Sequence, residues 1–61
     1  MPRISIEAIE GRSVEQKRGL VRDITEAVIK NFNVRPEVVS IVIHEISKEN
    51  LAKAGKLFID S

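Results

Sequence analysis

The chain has 61 residues, which is enough for one domain and leaves no room for a second. It contains no cysteine and a single histidine, His44, so disulfides and cysteine- or histidine-rich metal sites are excluded. Lys and Arg number 10 against 9 Asp and Glu, a net charge of +1, and there are two Phe, no Trp and no Tyr. Neither the basic excess nor the stacking platforms of a nucleic-acid binder are present.

The first element is a strand. In "RISIEAI", Ile4, Ile6 and Ala8 alternate with Arg3, Ser5 and Glu7, the period of a half-buried strand. Pro2 precedes it and can be read in two ways. Proline gives no N–H to a sheet, so it is tolerated at the first position of a strand. The second reading is chemical: loss of Met1, the usual processing before a small residue, would leave Pro2 as a free secondary amine. "EGRS" then makes a turn in which Gly11 permits a tight bend and Ser13 suits a helix N-cap. Gln16 three residues later completes the form of a capping box, and Glu15 favours the positive end of the helix dipole.

The helix is predicted over 14–32. Leu20, Val21, Ile24, Ala27, Val28 and Phe32 form its apolar stripe, and Lys17, Arg18, Arg22, Asp23, Glu26 and Lys30 mostly a solvated face. Gly19 costs such a helix roughly 1 kcal/mol relative to alanine, and either allows close packing or is simply tolerated. Asn33 suits a left-handed cap, and Pro36 starts a short turn.

"VVSIVIHEI" is the second strand, rich in β-branched residues, with Ile41 and Ile43 on one side and Val42, His44 and Ile46 on the other. Apolar residues on both sides require both faces to be covered, and one helix covers only one. In the tail, Ala54-Gly55-Lys56 can turn a small hairpin, with Leu57, Phe58 and Ile59 supplying a short strand. The expected fold is α+β: a βαβ unit with parallel strands, one crossover helix and a short C-terminal hairpin. A domain of this length buries only about 60% of its unfolded surface, which makes a lone core marginal. Without disulfides or metal, homo-oligomerisation is the remedy left, with another subunit covering the second sheet face.

Arg12 stands just before the helix, where a guanidinium fork and free backbone N–H groups both favour a carboxylate. With Met-Pro, the alternating strand, "EGRSVEQKRGLVRDITEAV" and a second strand ending "HEI", the chain resembles the 4-oxalocrotonate tautomerase family over nearly its whole length. The resemblance implies a βαβ subunit assembled as dimers and commonly hexamers. It implies a cofactor-independent tautomerase in which the Pro2 amine is a general base that moves a proton in a small enol or keto acid. Arg12 would then bind the substrate carboxylate and stabilise developing enolate charge. Among the substrate-binding positions, Ser40 stands where the family carries a second arginine, Leu51 where it carries an aromatic residue, and Ile9 completes the set. Serine brings no charge, so a simple dicarboxylate substrate is not what the residues favour. Arg35, five residues before Ser40, reads as a loop-surface residue.

Two alternatives stay open: hydration or dehalogenation of unsaturated acids by a protonated Pro2, and a non-catalytic oligomeric binding module. His44 and Glu45 read as structural or interface residues. No cofactor, nucleic acid or membrane partner is expected. No apolar run approaches the ~20 residues of a membrane span, and no signal-peptide layout opens the chain, so a cytoplasmic protein is expected.

Overall fold

The structure, a computed structural model, describes residues 1–61. Strand β1 (Arg3–Ile9) leads into helix α1 (Val14–Phe32), a 3-10 turn at Pro36–Val38, and strand β2 (Ser40–Ile46). A second 3-10 turn (Lys48–Asn50) precedes the hairpin strands β3 (Ala52–Lys53) and β4 (Lys56–Leu57), and a third (Phe58–Asp60) ends the chain. Strands β1 and β2 pair in parallel, from Arg3 opposite Ser40 to Ile9 opposite Ile46, while β3 and β4 pair antiparallel. This is the expected α+β fold, a βαβ unit with a small hairpin.

Local chemistry sets each boundary. Ser13 Oγ accepts from the Gln16 N–H at 3.1 Å and Gln16 Oε1 accepts from the Ser13 N–H at 2.8 Å, so the capping box is fully made. Asn33 ends α1 in the left-handed region at φ 56°, and its N–H donates to Ile29 O at 3.0 Å. In the hairpin Ala54 and Gly55 both have positive φ, the pattern of a tight two-residue loop that follows the strand twist. The predicted strand at 57–59 is shorter than expected. It stops at Leu57, and Phe58 and Ile59 turn away into the 3-10 segment, because β3 offers only two residues to pair with.

The register places Ile4, Ile6, Ala8, Ile41, Ile43 and Glu45 on one sheet face. Helix α1 lies over this face: Lys17 reaches Glu45, and Leu20 shares a cavity with Ile6 and Ile43. The half-buried helix positions are Lys17, Gly19, Val21, Ile24, Thr25, Val28 and Ile29. Leu20, Ala27 and Phe32, expected in the stripe, are exposed, as is Val14. The stripe is rotated because α1 meets the sheet through the 17–21–24–28 line, one residue round from the 20–24–27 line. Gly19 has no close neighbour: an added Cβ would meet only Arg22, at 3.7 Å. Of its two readings, the tolerated glycine holds within the chain.

No residue of the single chain is fully buried. Its accessible surface is 5047 Å², whereas a compact monomer of this mass exposes about 4,000 Å². The radius of gyration is 14.7 Å, against about 10.5 Å for a compact chain of this length. The open sheet face carries Ser5, Glu7, Val42 and His44, and the tail leaves Leu57, Phe58 and Ile59 exposed. The fold is a two-layer slab lacking a third layer.

Candidate active site

Pro2 is half-buried at the head of β1, and its carbonyl oxygen accepts the Ser40 N–H at 3.1 Å. Ser40 opens β2, half-buried and opposite Arg3. The amine position and the uncharged serine thus share one corner of the sheet. Leu51 follows the second 3-10 turn and is 36% exposed; its carbonyl accepts the Phe58 N–H at 2.8 Å, which fastens the tail to the hairpin.

Ile9 and Arg12 lie at the other end. The parallel ladder continues one step past β1, where the Glu10 N–H donates to Ile46 O at 3.0 Å. Gly11 then takes φ 122°, a backbone conformation that L side chains rarely adopt, and turns the chain toward α1. Arg12 is held in that turn, immediately before the N-cap. The N–H groups of Val14 and Glu15, in the first turn, have no acceptor within the helix and point the same way as the dipole's positive end.

Here a cavity of about 280 Å³ opens between the first turns of α1 and the end of the sheet. Ile6, Ile9, Leu20 and Ile43 supply its apolar wall, and Arg12, Lys17 and Glu45 its charges. Lys17 Nζ donates to Glu45 Oε1 at 2.5 Å, whereas Arg12 forms no ion pair. The cavity therefore presents apolar surface, one compensated pair of charges and one free guanidinium. It suits a small anion with an apolar body.

Among the sequence candidates, the structure brings Pro2 to Ser40 and Ile9 to Arg12, and it keeps these two pairs apart. The seven residues of β1 separate them by about 20 Å within one chain. Sequence reasoning placed Lys17 on a solvated face, yet it is half-buried in the cavity wall. Lys17 leads the 17–21–24–28 line, but only the roll of α1 against the sheet turns that line, rather than the 20–24–27 one, inward. Glu45, read as structural, is the carboxylate that holds it. Arg35 pairs with Glu37 at 3.0 Å and stays at the loop surface, and His44 is exposed beside Glu7 on the open face.

The family model described as "Tautomerase enzyme" matches residues 2–61. A probable tautomerase of Bradyrhizobium diazoefficiens is 43% identical over 60 residues, covering 98% of this chain and 90% of that protein. The 2-hydroxymuconate tautomerase of Bacillus subtilis is 40% identical over 60 residues, covering 98% and 97%. Among solved structures, a 4-oxalocrotonate tautomerase isozyme of Methylibium petroleiphilum superposes with a TM-score of 0.91 at 44% identity, covering 97% of this chain and 92% of that one. With a match that begins at Pro2 and runs through Arg12 to the last residue, the chain belongs to the tautomerase family and is an isomerase.

Proposed function

We propose that this tautomerase acts on small enol or keto acids without a cofactor, with the Pro2 amine of one copy as general base and Arg12 of another as carboxylate binder. The observation that carries the reading is the separation of Pro2 from Arg12 along β1, together with the apolar cavity at Arg12. A base must come within about 3 Å of the proton it takes, so one chain cannot use both residues on one small substrate. A second copy that brings its Pro2 end to the Arg12 cavity removes the difficulty. The surplus surface of the single chain supports that assembly, and a hexamer built from dimers is the form we favour.

Once Met1 is lost, the Pro2 nitrogen is a secondary amine at the end of a rigid strand. It takes the enol proton and returns it to carbon, so no net oxidation occurs and the base is regenerated. Negative charge develops on the enolate oxygen during the transfer. In this reading Arg12 stabilises that charge, and does so most in the transition state. The guanidinium also disfavours the protonated amine, which raises the fraction of free base near neutral pH.

The direct test is ketonisation of phenylenolpyruvate by protein processed to Pro2. Pro2→Ala should lower kcat/KM by about a hundredfold or more, the usual minimum worth of a positioned base. Arg12→Ala should raise KM and lower kcat together. Unchanged rates in either variant would remove the mechanism.

A further inference from the structure

The geometry points to the Lys17–Glu45 ion pair as the element that sets the charge of the cavity, and so to a substrate with one carboxylate and an apolar remainder. This rests on the reading of Arg12 as the carboxylate binder.

Three charged side chains line the cavity, and two of them cancel. Lys17 Nζ and Glu45 Oε1 are 2.5 Å apart, bridging α1 and β2, with side chains 29% and 38% exposed. The pair is partly exposed, yet it bridges helix and strand, and the lysine's charge is met by a carboxylate at contact distance. Arg12 is left as the single free cation, enough for one carboxylate held by its guanidinium fork. A second carboxylate on the same molecule would meet either the apolar wall of Ile6, Leu20 and Ile43, or the carboxylate of Glu45. Desolvation opposes the first placement and like-charge repulsion the second. At the Pro2 corner, Ser40 brings no charge and Arg35 pairs with Glu37 out on the exposed loop, so Arg3, opposite Ser40 and in no ion pair, is the one cation there that the test has to separate from Arg12. An aryl or branched alkyl group, by contrast, finds an apolar surface matched to it. Lys17 and Glu45 are thus specificity residues, and neither needs to touch the reacting atoms.

The experiment measures kcat/KM for phenylenolpyruvate, a monocarboxylate, and 2-hydroxymuconate, a dicarboxylate, in processed wild type, Glu45→Gln and Lys17→Gln. Binding of the inert acids hydrocinnamate and adipate is measured alongside by calorimetry, and sedimentation checks that each variant still assembles. Wild type should favour the monoacid by about tenfold, the scale of one charge contact within a site. Glu45→Gln frees the lysine and should shift that ratio about tenfold toward the diacid, while Lys17→Gln exposes the glutamate and shifts it the other way. A wild-type preference for the diacid, or a ratio unmoved by Glu45→Gln, overturns the proposal. So does a diacid preference that disappears in Arg3→Gln, which would place the second carboxylate at the Pro2 corner. If neither enol acid is turned over, the catalytic reading fails separately, and the two binding constants still decide the charge of the cavity.

Discussion

The Ser40 N–H donates to the carbonyl oxygen of Pro2 at 3.1 Å, tying the start of the second strand to the residue that begins the first. That bond uses the carbonyl of Pro2 and leaves its nitrogen uncommitted. The ring, half-buried at the sheet corner, is consequently a fixed support for whatever chemical group the nitrogen becomes. Strand starter and catalyst are not competing roles for this proline.

Which group it becomes depends on Met1, which is 92% exposed and so sterically open to removal. With Met1 attached, the Pro2 nitrogen is a tertiary amide without a usable lone pair. Protein processed to Pro2 should tautomerise enol acids, and protein retaining Met1 should be slower by about a hundredfold or more. Intact-mass spectrometry paired with rates on both forms checks this, and equal rates would leave Pro2 with a structural role alone.

In the processed oligomer the Pro2 amine should titrate below the value of about 8 typical of an α-amino group, because a neighbouring guanidinium and partial desolvation disfavour its cation. The base form is the active one, so kcat/KM should rise with pH through that pKa and then level. Nitrogen-15 NMR of labelled Pro2 gives the value independently. A pKa above the ordinary value would instead suit acid chemistry on unsaturated acids.

Assembly should be obligatory. The open face holding Val42 and His44, and the exposed Leu57, Phe58 and Ile59, should all be covered between copies. Sedimentation velocity should find a hexamer, or at least a dimer, and a thermal midpoint that rises with protein concentration. A folded, concentration-independent monomer would falsify the arrangement.

Gly19 lies in the interior of α1, where an added Cβ would make only an ordinary contact with the flexible end of Arg22, at 3.7 Å. Gly19→Ala should therefore stabilise the protein by roughly 0.5–1 kcal/mol, read by chemical denaturation at constant protein concentration. If the variant instead loses assembly, the bare backbone of Gly19 faces another copy.

The strands, the helix and both helix caps could be read from the sequence because their causes are local. The alternation from Arg3 to Ala8, the Ser13–Gln16 box and Asn33 each act within a few residues. The placement of Lys17 could not be read this way, since its burial depends on how α1 rolls against Ile6 and Ile43 and on a carboxylate 28 positions away. Residue type argued for solvent, and tertiary contact prevailed. The same limit applied to the site as a whole. Pro2 and Arg12 were each recognisable, but only the direction of β1 reveals that one chain holds them at opposite ends.

That separation gives the protein a genetics of its own. If each chain lends its two ends to different sites, as proposed, a defect at Pro2 and a defect at Arg12 are not two injuries to one site. Protein mixed from equal amounts of Pro2→Ala and Arg12→Ala chains, unfolded and refolded together, should regain activity that neither parent has. With random assortment, roughly a quarter of the sites draw an intact proline from one chain and an intact arginine from another. The unmixed parents should stay at their low residual rates, and the recovered rate should track the product of the two chains' fractions, highest at equal parts. On the proposed arrangement each copy is an incomplete enzyme, and complementation between broken copies measures how the missing part is supplied.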